Sequence, residues 1–141
     1  MKTRLRTLRV DDRDYVWTAA IGHVRSERDC YRTIRLRVWG SGRNSRVLEV
    51  DLLSTSPPGP WGACATDTAH PTPRDVRAVV EYAREHGWDQ EAVGGTYLLT
   101  EHQHASAFAL SDFLLTDRLR DPDAMDPSAR LAETWPRASG T

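Results

Sequence analysis

The chain has 141 residues, of which 39% are hydrophobic and 28% are charged, and its formal net charge is −1 with a mean hydropathy of −0.58. These values describe one ordinary soluble domain. No run approaches the roughly 18 to 20 apolar residues of a membrane span, and the N-terminus has no signal-type apolar stretch, so we expect a cytoplasmic protein with no membrane partner. The two cysteines, Cys30 and Cys64, are too few for the disulfide framework of a small secreted scaffold, and we expect free thiols.

The charge is unevenly distributed along the chain. Residues 1–50 carry 12 basic and 6 acidic side chains, whereas residues 51–141 carry 7 and 14. Arginines such as Arg4, Arg6 and Arg9 can bind phosphates through paired N–H groups. The arginine-rich N-terminal half therefore permits a nucleic-acid-binding function.

The first predicted element is a β-hairpin over residues 8–21, where apolar residues recur at every second position. Its turn is expected at Asp11–Asp14, because these four polar residues interrupt the alternation. That turn places Val10 opposite Tyr15 and Leu8 opposite Trp17, so that aromatic and branched side chains cover one another.

A second hairpin is predicted around the Gly-rich turn at 40–45, because the strands on both sides alternate between apolar and charged residues. Pairing the apolar positions places Arg37 opposite Glu49 and Arg35 opposite Asp51. Such cross-strand charge pairs favour a structural role for these arginines and weaken the nucleic-acid hypothesis.

Residues 54–71 show no periodicity and contain four of the eight prolines. Loops of this length are uncommon in compact domains and are often binding loops, so we consider Pro58 and Trp61 candidate partner-binding residues. The alternative is a proline-stiffened crossover to the next helix, with Trp61 as an anchor beneath it.

The main helix is predicted over residues 73–86, with Thr72 as N-cap, Pro73 in the first turn and an exit at Gly87. Its apolar residues form a single stripe, which predicts packing on the sheet. The stripe consists of Val76, Val79, Val80 and Ala83.

The remaining chain predicts a further strand over 94–100 and a second, shorter helix within 105–120. Prolines and few apolar residues predict a mobile tail over 121–141, leaving a single domain over 1–120. The predicted fold class is therefore α+β: an antiparallel sheet of about five strands with the main helix on one face.

Two histidines give the sharpest chemical signal. On a strand, His102 and His104 would point to the same side, as in several metal sites, and Cys64 or His70 would supply further ligands. A metal-dependent enzyme, with zinc as cofactor, is thus the second functional hypothesis. The alternative is that both imidazoles are solvated or hydrogen-bonded, and no cofactor is present.

Trp39 shares the odd-numbered face of its strand with Arg35 and Arg37. An exposed face with an indole and guanidinium groups is suited to binding a protein, an RNA or a flat ligand. Pairing of the arginines with Glu49 and Asp51 is the competing explanation.

Four short motifs resemble those of small uncharacterised bacterial single-domain proteins, over residues 5 to about 100. They are Tyr15-x-Trp17, Arg37-x-Trp39, Thr72-Pro73 and His86-Gly87-Trp88-Asp89. The resemblance implies a bacterial single-domain fold and no particular reaction.

No complete catalytic constellation is present in the sequence, which favours a protein that is not an enzyme. We therefore expect an interaction or regulatory module that binds another protein through the 54–71 loop and the face with Trp39.

Overall fold

A computed structural model describes residues 5–25, 30–55, 70–105, 107–108, 110–121 and 123–124. Pro58, Trp61 and Cys64 of the candidate loop lie outside these residues, as does most of the tail predicted over 121–141. The elements within the described part are β1 (Arg6–Val10), β2 (Arg13–Arg25), β3 (Cys30–Trp39), β4 (Val47–Ser54), α1 (Pro73–Glu85), β5 (Thr96–Leu99), α2 (Glu101–His104) and β6 (Phe113–Leu115).

The strands form one sheet in the order β1-β2-β3-β4-β5, with β6 also paired to β4. Strands β1 to β4 are antiparallel neighbours, β5 runs parallel to β4 beside Val47–Val50, and β6 runs antiparallel beside Leu52–Ser54. The expected α+β class is confirmed in this coarse form. The expectation of about five antiparallel strands is corrected to a mixed sheet of six in the described part of the chain.

The register of the second hairpin is confirmed. Arg37 pairs with Glu49 and Arg35 with Asp51 in the β3–β4 ladder. The sequence specified this register because the strands alternate on both faces, and a shift by one residue would expose every apolar side chain.

The first hairpin differs from the prediction, because its turn has two residues and not four. Asp11 and Asp12 have φ angles of 49° and 64°, which belong to a left-handed two-residue turn that matches the twist of the flanking strands. Leu8 therefore lies opposite Tyr15, while Val10 lies opposite Arg13. The shift is an even number of residues, so the same side chains still face the core.

Helix α1 begins and is capped as predicted. The Thr72 hydroxyl accepts a hydrogen bond from the backbone N–H of Asp75, and the Asp75 carboxylate accepts one from the backbone N–H of Thr72. The helix ends at Glu85, one residue before the predicted limit, and His86 is its C-cap. Gly87 follows with a φ of 113°, a conformation that glycine adopts without strain.

The second predicted helix, within 105–120, is wrong. Residues 113–115 form strand β6, with Phe113 and Leu115 buried on one face of the sheet and Leu114 packed on the other. The α2 helix is a single turn, and it lies earlier, at Glu101–His104.

One face of the sheet forms the main core together with the apolar stripe of α1. This core face contains alternate residues of the strands, and Trp88 and the C-terminal strand complete the cluster. Its buried members are Val10, Tyr15, Trp17, Ile34, Leu36, Val38, Leu48, Val50, Leu52, Val76, Val79, Val80, Ala83, Trp88, Leu99, Phe113 and Leu115.

The expectation of free thiols is corrected at Cys30, which is disulfide-bonded. The chain's only other cysteine is Cys64, which lies outside the described residues. Within those residues, none of the helices has the length and apolar character needed to cross a membrane.

Candidate functional site

The alternation of β3 and β4 places a group of charged side chains on the sheet face opposite the core, which we call the open face. Arg35, Arg37 and Trp39 of β3 lie on this face with Glu49 and Asp51 of β4. The structure therefore brings together the three partner-binding candidates of β3 that the sequence indicated.

Two carboxylates are buried at the centre of the open face, each paired with arginine. Arg35 donates to both oxygens of Asp51, with Nε–Oδ1 and Nη2–Oδ2 distances of 2.8 and 3.1 Å. Arg37 Nε donates to Glu49 Oε1 at 2.5 Å. The bidentate, charge-assisted contact of Arg35 fixes the orientation of its guanidinium group and neutralises the Asp51 carboxylate.

Arg120 joins these pairs from the far end of the chain. Its guanidinium contacts Glu49 and lies 3.4 Å from Asp51, measured from Nε to Oδ2. The segment that carries Arg120 crosses the open face beside Gly22, where a Cβ would lie 3.0 Å from Thr33 Oγ1 and 3.6 Å from Leu119. Glycine at position 22 therefore permits this close approach.

The arginines shift the ionisation of the buried carboxylate that they contact. Burial alone would raise the pKa of Glu49, but hydrogen bonds from Arg37 and Arg120 outweigh it and hold the pKa below the ordinary value of 4.5. The hydrogen bond to Asp51 raises the pKa of Arg35. Glu49 and Arg35 are thus both held in their charged forms at neutral pH.

The cations of this cluster face solvent, whereas the anions do not. The Glu49 and Asp51 side chains are 7% and 1% exposed, but those of Arg35, Arg37 and Arg120 retain 32%, 48% and 30%. A molecule that approaches the open face therefore meets guanidinium groups first.

Trp39 is less exposed than the sequence suggested, with 9% of its surface accessible. The guanidinium carbon of Arg43, from the turn after β3, lies 4.3 Å from the centroid of the Trp39 ring and covers it. Arg43 itself is exposed, and within the described part of the chain its guanidinium forms no ion pair.

A depression of about 500 Å³ lies between this turn and the first strands. Three arginines, one indole and small or apolar side chains line it, so it combines positive charge with a stacking surface. The lining residues are Leu5, Thr18, Ala20, Arg35, Arg37, Trp39 and Arg43.

His102 and His104 lie on helix α2 and not on a strand. Residues two apart on a helix do not face each other, so the geometric basis for a shared metal site at this pair is lost. His102 is exposed, whereas His104 is half-buried. Within the described residues, no group of three or more His, Cys, Asp or Glu side chains is arranged to hold a metal ion.

His70, the third metal candidate, is half-buried. Burial lowers the pKa of its imidazole, and the charges of Arg6 and Arg32 lower it further. A neighbourhood with two cations opposes binding of a metal cation.

A second cluster forms where the end of α1 meets α2, and we call it the imidazole cluster. The rings of Tyr82 and His86 stack at 3.9 Å between centroids, and the Tyr82 hydroxyl lies 2.9 Å from Nδ1 of His104. Phe108 packs on Tyr82 at 4.5 Å, and the Tyr97 hydroxyl donates to the His86 carbonyl at 2.9 Å. Burial lowers the pKa of His104, and His86 adds to this effect.

Comparison of the chain with protein-family models, curated proteins and solved structures found no match.

Several residues of the two clusters were not predicted from the sequence as site residues. Arg43 was visible only as a turn residue, and Arg120 only as a residue before the tail. Tyr82 and His86 carried a usable signal, because residues four apart are neighbours at the end of a helix, where Tyr82 lies in the last turn and His86 is the C-cap.

Proposed function

We propose that this protein is a non-enzymatic interaction module that binds an acidic segment of another protein in the depression on the open face. The observation that carries the proposal is that the carboxylates of the open face are buried, whereas its guanidinium groups are exposed to solvent. The carboxylates of Glu49 and Asp51 are buried, and the guanidinium groups of Arg35, Arg37 and Arg43 line the surface.

Two of these arginines retain hydrogen-bonding capacity for a partner. Arg37 uses Nε for Glu49, which leaves its terminal nitrogens available within the described contacts. Arg43 lies over the Trp39 ring, and it forms no ion pair with any residue that the structure describes. Arginine binds carboxylates through paired N–H groups, and an adjacent indole supports apolar or planar groups.

The distribution of the other arginines favours a protein partner over a nucleic acid. Arg9 pairs with Asp14 at 3.4 Å, Arg13 with Glu91 at 3.1 Å, and Arg6 lies over the Trp17 ring. These contacts engage three arginines of the N-terminal half within the protein itself. A localised depression fits a short acidic segment better than it fits the extended phosphate backbone.

The test is affinity capture from lysate of the source organism with three matched baits: wild type, Arg43→Glu and Arg77→Glu. Arg77 is an exposed arginine of α1, so its variant carries the same charge change away from the open face. We expect one protein that wild type and Arg77→Glu retain, that Arg43→Glu loses, and that excess polyglutamate displaces.

Two outcomes contradict the proposal. Retention of every partner by Arg43→Glu would place binding elsewhere on the chain. Loss of the partner after nuclease treatment would favour the nucleic-acid hypothesis.

The cytoplasmic location belongs to the same proposal. The disulfide at Cys30 opposes it, because disulfides are rare in reducing compartments. Fractionation of the source cells, with alkylation of thiols at lysis, determines both the compartment and the redox state there.

A further inference from the structure

We propose that His86 and His104 form a two-imidazole binding site for Zn²⁺ in the imidazole cluster. This site differs from the His102–His104 pair, and it does not depend on the proposed binding of an acidic partner.

The first argument is the tautomer of His86. Its Nδ1 lies 2.8 Å from the carbonyl oxygen of Tyr82. A carbonyl oxygen only accepts hydrogen bonds, so Nδ1 carries the proton of the neutral ring and Nε2 keeps a free lone pair. Histidines that bind metals commonly donate their other ring N–H to a backbone carbonyl, which fixes the tautomer and orients the ring.

The second argument is the matching contact of His104. Its Nδ1 lies 2.9 Å from the Tyr82 hydroxyl, and the tautomer of the ring determines which of the two groups donates the hydrogen bond. When Nδ1–H of His104 donates to that hydroxyl, its Nε2 is also a free donor atom for a metal. Tyr82 thus contacts both histidines, through its carbonyl and its hydroxyl.

The third argument is the spacing of the rings. Two imidazoles that share one zinc ion through bonds of about 2.0–2.1 Å have ring centroids about 5 to 6 Å apart. The centroids of His86 and His104 are 5.8 Å apart, with an angle of 84° between the ring planes. The observed centroid distance therefore falls within the range expected for two imidazoles that share one zinc ion.

The surroundings of the pair determine how strong the site can be. His86 is exposed and His104 half-buried, so water has access to the remaining coordination positions. No larger group of ligand side chains forms within the described residues. Two protein ligands with water suit a transition metal that accepts imidazole, such as Zn²⁺, better than Ca²⁺ or Mg²⁺, which prefer oxygen ligands.

The test is calorimetric titration of the untagged full chain with ZnCl₂, using His86→Ala, His104→Ala and His102→Ala. His102→Ala is the matched control, because it removes an exposed imidazole from the same short helix. We expect His86→Ala and His104→Ala each to weaken zinc affinity by more than about tenfold, because loss of an outer-shell partner alone costs about 10- to 100-fold. His102→Ala should retain wild-type affinity, and Tyr82→Phe should lose about tenfold through His104.

A second measurement uses the wild type alone, so that it tests the site even if one of the variants does not fold. Zinc added to the wild type should shift the imidazole nitrogen resonances of His86 and His104 together, and leave those of His102 in place. The proposal is overturned if the wild type takes up no zinc, if His86→Ala binds it like the wild type, or if His102→Ala abolishes binding.

Discussion

At the scale of single residues, the buried carboxylates of the open face depend on arginine for hydrogen bonds and for neutralisation of their charge. Asp51 is almost fully buried and accepts two hydrogen bonds from Arg35, with Arg120 as a further neighbour. Removal of its charge leaves these guanidinium groups without their main acceptor. Exposed ion pairs elsewhere in the molecule carry no such penalty, because water replaces the lost partner.

Asp51→Asn should therefore lower the free energy of unfolding by about 2 to 3 kcal/mol, the usual loss for hydrogen bonds to charged groups at buried sites. Asp14→Asn is the control, because Asp14 forms an exposed ion pair with Arg9 and should change stability by less than about 0.5 kcal/mol. Urea unfolding followed by tryptophan fluorescence measures both. Equal effects of the two substitutions would show that the buried pair has no special role.

The lowered pKa of Glu49 predicts a specific pH dependence. Arg37 and Arg120 hydrogen-bond Glu49, Arg35 lies 4.0 Å away, and the Asp51 carboxylate shares these cations. Because the pKa in the folded state is below the ordinary value of 4.5, the ionised carboxylate stabilises the fold above that pH. This stability is lost as the pH falls through the folded-state pKa.

The measurement is the free energy of unfolding from pH 7 to about pH 3 for the wild type and Glu49→Gln. The wild type should lose more stability on acidification than the variant, so the two curves should converge at low pH. Glu85→Gln, at an exposed position of α1, should follow the wild-type curve. Parallel curves for wild type and Glu49→Gln would contradict the assignment.

At the scale of elements, the turn of the first hairpin stores a small amount of strain. Asp11 and Asp12 both have left-handed φ angles, which aspartate tolerates less well than glycine. Asp-Gly is the preferred sequence for a turn of this type. The contact of Asp12 with Arg9 is 3.9 Å long and exposed to solvent, so it contributes little to stability.

Asp12→Gly should therefore raise the free energy of unfolding by about 0.5 to 1 kcal/mol. Asp14→Gly serves as the matched change in a strand, where glycine should be destabilising by a similar amount. Thermal unfolding distinguishes the two directions. A lower melting temperature for Asp12→Gly would contradict the two-residue turn and favour the four-residue turn that the sequence suggested.

The elements also show which parts of the fold the sequence specifies. The β3–β4 register was predictable because two alternating strands constrain both faces at once. The length of the first turn was not, because turns of two and four residues bury the same side chains. Strand β6 was not predictable either, because its three residues, Phe113–Leu115, are too few to display a period.

The candidate site was predictable to a similar degree. Trp39, Arg35 and Arg37 share a face by strand alternation alone, without any tertiary information. Arg43 reaches that face from the turn after β3, and Arg120 reaches it because residues 116–121 return across the sheet. The alternation of residues within a strand predicts neither position. The pairing of His86 with His104 depends in the same way on how two helices meet.

At the scale of the whole molecule, the two halves of the chain compensate each other in charge. The N-terminal half has excess arginine, and acidic residues of the second half pair with it, as in Arg35 with Asp51 and Arg13 with Glu91. In one contact the charges are reversed: Arg84 of the second half lies 3.5 Å from Asp11 of the first half. The net charge of −1 follows from composition, whereas pairing in the fold determines where charge stays unbalanced and leaves the depression at the open face as a local positive surface.

The disulfide at Cys30 has consequences for the whole molecule as well. The chain has two cysteines, so a bond within one chain must join Cys30 to Cys64. Such a bond would tether the candidate loop over 54–71 to the start of β3, and it would restrict the unfolded chain more than the folded one.

Cys30→Ser should lower the free energy of unfolding by about 2 to 4 kcal/mol, and reduction of the wild type should have a comparable effect. Purified, unreduced protein should show no reactive thiol when denatured, and two after reduction, at the mass of a single chain. Peptide mapping should recover a linked Cys30–Cys64 pair. Two reactive thiols before reduction would instead restore the free thiols expected from composition, and with them the argument for a reducing compartment.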